Sequence, residues 1–154
     1  MQLSTIVKPD AVRAFPQVSS KKRLFQDIAD LAEQAYGLDA SRTLDALQER
    51  ESLGPTGVGN GVALPHARLH ELDKVVGVFV KLEKPLDFDA VDRQPVDLIF
   101  ALFAPKGNGV DHLKALALVS RTLRDPDLRT KLRANSEPAT LHAILSNGPG
   151  AQAA

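Results

Sequence analysis

Val96-Asp97-Leu98-Ile99-Phe100-Ala101-Leu102-Phe103, closed by Ala104-Pro105, holds a single ionisable side chain in its eight positions. Its apolar residues run on continuously instead of alternating with polar ones, the pattern of a strand covered on both faces. Lys74 to Leu82 repeats that character with Val75, Val76, Val78, Phe79 and Val80, rich in the β-branched and aromatic types that suit a pleated surface. Pro85, Asp87, Asp89 and Asp92 mark a turn-rich connection between the two. Val62 to Leu69 reads as a shorter strand with Pro65 at an edge or an end, so the sheet has at least three strands.

Helical periodicity appears on either side of these strands. Ser19-Ser20 offers an N-cap, Leu24, Ile28, Leu31 and Ala35 follow near the 3.6-residue period, and Gly37 stops the run. A second helix starts near Asp39 or Ser41, turns Leu44 and Leu47 inward, and ends by Gly54-Pro55, because proline disfavours helical geometry in the residue before it. A third follows Gly107-Asn108-Gly109 with Leu113, Leu116, Ala117 and Leu123 expected on its inner face. Asp125-Pro126 opens a fourth and Ser136-Glu137-Pro138 a fifth, the latter holding Leu141, Ile144 and Leu145. Strands flanked by helices predict an α/β layered fold. No internal repeat is visible, and Gly148 to Ala154 is small and without periodicity, so a disordered tail is expected there.

The chain has 154 residues, a length that suits one domain able to bury a core without disulfides or a structural metal. Nineteen basic residues balance nineteen acidic ones, which removes the positive field that nonspecific nucleic-acid binding needs. The absence of cysteine excludes disulfides, thiol catalysis, thiolate zinc sites and iron–sulfur clusters. Met1 to Lys8 is no charged start followed by a long apolar run, and no segment approaches the ~20 apolar residues of a membrane span. A cytoplasmic protein with no nucleic-acid partner and no membrane insertion is expected.

The most unusual segment is Gly54-Pro55-Thr56-Gly57-Val58-Gly59-Asn60-Gly61-Val62-Ala63-Leu64-Pro65-His66, which packs four of the ten glycines into eight positions. Such density brings backbone close to something, either in a structural turn or around a bound phosphate. A P-loop fails because Gly59 is followed by Asn60-Gly61 and not by Lys and a hydroxyl residue, and the dinucleotide fingerprint fails on spacing and on the preceding helix. Four histidines are present, His66, His70, His112 and His142. His66 and His70 are four apart, but Pro65 and the expected strand rule out the helical zincin arrangement and Ala67 replaces its glutamate, so no metal site and no cofactor are expected. No serine lies in a nucleophile elbow. His142 is assigned to surface or packing.

The glycine-rich turn leading through a strand to Pro65-His66 resembles the fructose/mannitol/nitrogen-regulatory enzyme IIA family of the bacterial phosphotransferase system. The likeness also takes in Arg50-Glu51, Val76-Gly77-Val78-Phe79-Val80, Phe88-Asp89-Ala90-Val91-Asp92, Gln94-Pro95-Val96-Asp97-Leu98 and His112-Leu113, and spans roughly residues 3–146. Phe88 to Phe103 and the stand-alone length are most like the nitrogen-regulatory branch. Two residues depart from the family pattern, Pro55 where serine is usual and Ala67 where glycine is usual.

The resemblance implies a single domain over residues 1–146, a central mixed β-sheet flanked by α-helices, with 147–154 as a tail. It implies that His66 is the phosphoryl acceptor, as a tele-phosphohistidine, taking the group from a phosphohistidine on an HPr-like carrier of the nitrogen branch. His112 would lie beside it and hydrogen-bond the phosphoryl oxygens, and Arg50 would add positive charge. Thr56, Gly57, Gly59, Asn60 and Gly61 are the candidate phosphate cradle. His112 near a helix start should be mostly neutral, since a dipole worth ~0.3–1 kcal/mol lowers its pKa by under about one unit. Arg68 is either a further phosphate contact or a solvated surface residue. Docking of the carrier needs an apolar collar, to which Val62, Leu64 and Leu69 are expected to contribute. Regulated targets would be proteins such as transporters, sensor kinases or stringent-response enzymes. A sugar-specific enzyme IIA that passes phosphate to a IIB domain, and an interaction module in which His66 is merely structural, are the competing readings.

Overall fold

A computed structural model describes residues 1–107 and 109–148. Asn108, expected in the turn before the third helix, and the expected tail from residue 149 onward lie outside the described residues. The elements in chain order are α1 (Leu3–Ile6), β1 (Val7–Phe15), α2 (Lys21–Tyr36), α3 (Ala40–Ser52), β2 (Gly57–Gly59), β3 (Val62–Ala63), β4 (His66–Leu69), β5 (Val76–Leu86), β6 (Val96–Pro105), α4 (Gly109–Leu123), α5 (Pro126–Arg133) and α6 (Pro138–Asn147). The last helix therefore includes Asn147, the first residue assigned to the tail.

The strands form one mixed sheet in the order β1-β5-β6-β3-β2, with β4 also pairing β6. β1 is parallel to β5, β5 antiparallel to β6, and β3 and β4 parallel to β6. β6 is buried along nearly its whole length and β5 from Val76 to Leu82, as their unbroken apolar runs predict. α2 and α3 pack on each other, α2 covering β1 and β5 and α3 covering β4. α4, α5 and α6 lie against β6, β5 and β1. Side-chain alternation along β5 shows that these are opposite faces. Lys81 reaches the Arg133 and Asn135 carbonyls at the end of α5, so Val80 and Leu82 point to the α2 side.

Helix ends match their sequence signals. Ser20 accepts from the Arg23 N–H, Gly37 closes α2 with φ 72°, and Asp125 accepts from the Asp127 N–H with Pro126 in the first turn. α1, β1 and the short β2 are the elements that sequence patterning does not anticipate. β1 carries Pro9 and breaks register between Val7 and Val12, which spoils the alternation that marks a strand. Its place is fixed by tertiary contacts, among them Tyr36, whose hydroxyl accepts from the Lys8 N–H and donates to the Gly77 carbonyl at 2.7 Å.

α4 also departs from expectation. Its buried residues are His112, Ala115, Leu118, Val119, Thr122 and Leu123, while Leu113 is 67% exposed and Ala117 is exposed. This helix has apolar residues on more than one face, so periodicity admits two inner faces, and packing against β6 selects the one that contains His112.

The glycine-rich turn is built for structure. Gly57 sits where a Cβ would come within 2.7 Å of the Ala90 Cβ. Asn60 (φ 59°) and Gly61 (φ 77°) form the left-handed turn between β2 and β3. The Asn60 N–H donates to Asp92, the Gly61 carbonyl accepts from the Asp97 and Leu98 N–H groups, and Arg133 joins Asp97 to the Asn60 carbonyl. A Cβ at Gly61 would meet the Asp97 carboxylate at 2.8 Å and crowd the Arg133 guanidinium as well. Gly61→Ala should therefore lose about 1–3 kcal/mol of unfolding free energy in urea titration; an unchanged midpoint would mean that the turn relaxes freely.

Candidate active site

β3 and β4 are one strand interrupted at Leu64-Pro65. Val62 pairs Leu98, Ala63 pairs Ile99, His66 pairs Leu102 and Leu69 pairs Pro105, so the register passes through the proline without a slip. The Leu102 N–H donates to the Pro65 carbonyl, which keeps β6 satisfied where proline has no donor of its own. β2 pairs β3 and not β4, so beyond Ala63 this strand is the edge of the sheet. His66 is the first residue of that free edge, on the α4 side. The open edge lets a side chain from α3, in the opposite layer, reach the same imidazole.

Two partners settle the state of the His66 ring. Nδ1 lies 2.9 Å from the Leu64 carbonyl, which can only accept, so Nδ1 carries the proton. Nε2 is then the lone-pair nitrogen, and Arg50 Nε–H donates to it at 3.3 Å. Arg50 is also held by Nη1–H to the Gly54 carbonyl at 2.9 Å. The His112 ring meets that of His66 edge to face, centroids 5.4 Å apart and planes at 85°.

His112 is 6% exposed, and its Nδ1 has no hydrogen-bond partner among the described residues. Its pKa is lowered to about 4, first by burial and then by electrostatic interaction with the neighbouring His66 and Arg68 side chains. The neutral state expected from the helix start is thus reached mainly through desolvation. An unpartnered buried nitrogen costs about 1–3 kcal/mol, so this residue is not placed there for stability.

Ala46, Glu49, Arg50, Leu53, Ala67, Arg68, Lys106, Leu113 and Leu116 complete a cleft of about 550 Å³ around the two histidines. The structure thus brings His66, His112 and Arg50 together, with exposed Arg68 on the cleft wall. It does not bring Gly59, Asn60 or Gly61 there: they lie beside Val62, four residues before His66 along the strand and roughly 13 Å away at 3.3 Å per residue. Gly57 packs on Ala90 and likewise does not line the cleft. Thr56 is buried and already committed, its N–H and hydroxyl both donating to Glu51. The apolar collar is different too. Val62, Leu64 and Leu69 are core residues, while Leu53, 80% exposed, and Leu113 stand at the cleft. Site reasoning missed Leu53 and Lys106 at the cleft and Glu51 behind it; the signal available for Glu51 was an acidic residue directly after the candidate arginine.

His142, assigned to surface or packing, donates its Nε2–H to the Val7 carbonyl, 3.0 Å away, and so joins α6 to β1. No cluster of three or more His, Asp or Glu residues able to hold a metal occurs among the described residues. None of their helices is long and apolar enough to cross a membrane.

The mixed sheet between helical layers is also the fold of the mannitol IIA of Escherichia coli, which superposes with a TM-score of 0.75 at 16% identity, over 88% of this chain and 96% of that one, a likeness of fold alone. The model of the family "Phosphoenolpyruvate-dependent sugar phosphotransferase system, EIIA 2" matches residues 5–148, and the chain belongs to that family. Nitrogen regulatory proteins and fructose-specific enzyme IIA components are both among its relatives. It is 42% identical to the nitrogen regulatory protein of Bradyrhizobium diazoefficiens over 99% of this chain and 100% of that protein. The crystal structure of the nitrogen regulatory protein IIA-Ntr from Neisseria meningitidis matches with a TM-score of 0.85 at 34% identity, over 93% of this chain and 98% of that one.

The depressed pKa of His112 has a consequence for stability. Above the ordinary value of 6.5 both folded and unfolded states hold the ring neutral; between 6.5 and about 4 only the unfolded state takes up the proton. Stability from this residue is therefore present above pH 6.5 and is lost as the pH falls toward 4, by at most about 1.4 kcal/mol per pH unit. Denaturant midpoints measured from pH 7.5 to 4 should fall more steeply for the wild type than for His112→Gln. Parallel curves would show that the folded state accepts the proton freely.

Proposed function

We propose that this protein is a phosphocarrier and regulator of the nitrogen-related phosphotransferase system, accepting a phosphoryl group on His66 from a phosphohistidine of an HPr-like carrier. The observation that carries this reading is the His66 tautomer: Nδ1–H is spent on the Leu64 carbonyl and the Nε2 lone pair stands at a free strand edge in an open cleft. A neutral imidazole nitrogen is a good nucleophile near pH 7.

In the transfer, Nε2 of His66 attacks phosphorus and the bond from phosphorus to the carrier's imidazole nitrogen breaks, its electron pair returning to that ring. His66 then carries phosphorus on Nε2 and hydrogen on Nδ1, a cationic ring whose charge the Leu64 carbonyl stabilises. A carrier ring that entered as the protonated phosphoimidazole leaves neutral, so no other proton need move. Arg50 supplies positive charge at the developing phosphoryl oxygens and, as Nε2 ceases to be a lone-pair acceptor, turns its Nε–H to them. His112 supplies a neutral ring beside the transferred group, and Arg68 and Lys106 add charge at the rim.

Regulation follows from the same geometry. Phosphorylation places ~1.5–2 negative charges, by analogy with other phosphorylated side chains, between the exposed Leu53 and Leu113. A target seated on those leucines must then desolvate the charge or supply its own cations, so targets distinguish the two forms. The nitrogen-regulatory relatives favour this role in the cytoplasm over handing phosphate to a sugar-specific IIB domain.

Incubation with enzyme I, an HPr-type carrier and labelled phosphoenolpyruvate should put acid-labile, alkali-stable label on the wild type and none on His66→Ala. His112→Ala should take up label about 100-fold more slowly, and γ-labelled ATP alone should label nothing. Gly61→Ala, although less stable, should be labelled like the wild type at a temperature where both are folded. Label retained in His66→Ala would refute the acceptor assignment; rapid onward transfer to a IIB domain would favour the sugar-specific reading.

A further inference from the structure

The Glu51 carboxylate is 8% exposed and touches none of the groups assigned to the transfer, yet it is fully engaged. Oε1 accepts from the Thr56 hydroxyl at 2.6 Å, and Oε2 accepts from the Thr56 N–H at 3.0 Å and from Lys21 Nζ at 2.9 Å. Lys21, the counter-ion, is fixed in turn by the Phe88 carbonyl at 3.0 Å and by the Phe88 ring, 4.5 Å below its ammonium. A buried carboxylate with so many donors holds its neighbours tightly, because releasing any one would leave charge unpaired.

What it holds is the turn from Leu53 to Thr56. One end is anchored by Thr56 on the carboxylate and the other by the Gly54 N–H on the Glu51 carbonyl, at 3.2 Å. The Gly54 carbonyl lies between these anchors, and it is the acceptor for Arg50 Nη1. Arg50 donates to that carbonyl and to His66 Nε2, so the place of the guanidinium depends on where Gly54 is held. Pro55 within the turn reduces its freedom further.

We propose that Glu51, with Lys21 as its counter-ion, is a positioning residue for phosphoryl transfer: it fixes the Leu53 to Thr56 turn so that the Gly54 carbonyl aims Arg50 at His66 Nε2. The proposal rests on the phosphocarrier reading for its kinetic consequence and on geometry alone for its structural one. A group that acts only through Arg50 loses its effect when Arg50 is absent, whereas a group that merely stabilises the fold weakens every background alike.

The test is a double-mutant cycle on the full chain over a range of phospho-carrier concentrations up to saturation, comparing wild type, Arg50→Ala, Glu51→Ala and the double variant, each first shown by thermal unfolding to be folded at the assay temperature. Glu51→Ala should lower kcat 10- to 100-fold with KM changed by less than 2-fold, and should cost less than 2-fold more in the Arg50→Ala background. Multiplying losses, or an effect on KM alone, would overturn the proposal. NMR of the Arg50 Nε–H supplies a readout that needs no transfer. Its cross-peak should be protected from solvent exchange in the wild type and lose that protection in Glu51→Gln, which keeps the side-chain shape and serves if Glu51→Ala does not fold. Protection retained in Glu51→Gln would also overturn the proposal. Failure of the wild type to accept label would instead sink the phosphocarrier reading and leave the NMR comparison to decide the positioning.

Discussion

β6 must be covered on both faces and paired on both sides, and most of the molecule follows from that constraint. Apart from Asp97 its side chains are apolar, and burying them requires a helical layer above and another below. On one side it pairs β5 along nearly its full length; on the other it accepts the short β3 and β4. The polar exception is also used. Asp97 receives Arg133 in a two-point ion pair and thereby locks the tight turn that starts β3. Register along β6 is thus set at Val62, and the position of His66 follows four residues later.

The site exists because the neighbouring hairpin stops short. β2 leaves β4 unpaired on its outer side, and an edge strand inside an otherwise enclosed sheet is where a side chain can be met from both helical layers. Arg50 arrives from α3 and His112 from α4. Each carries a cost. Arg50 spends one donor on a carbonyl and one on a neutral ring, and His112 keeps a buried nitrogen without a partner among the described residues. A core optimised for stability would use neither arrangement; a cleft that receives a phosphoryl group, as proposed, would gain from both.

The rotation of α4 ties packing to docking. Turning His112 inward leaves Leu113 outward, and the same rotation that completes the histidine pair creates the apolar rim of the cleft. Leu53 reaches that rim from the turn after α3. In the proposed function, transfer geometry and partner surface therefore share two elements, and a change in the turn that carries Leu53 and Gly54 would be felt by both.

The sequence by itself determined the layered α/β class, the two central strands, the caps of α2 and α5, and the histidine at the end of a glycine-rich segment, because each is written in local period, capping chemistry or spacing. Residue type and resemblance also brought Arg50 and His112 forward. Tertiary structure alone decided what those residues do to one another. It placed β1, whose proline and register break hide its alternation, and it chose between two apolar faces of α4. It showed that Gly57, Gly59, Asn60 and Gly61 serve backbone turns and close packing, since a glycine advertises a conformational need without saying whether protein or ligand fills the space. It also made Glu51 legible, because a carboxylate's role lies in the donors that converge on it, and Lys21 and Thr56 converge there only once α2, α3 and the turn beyond are packed together.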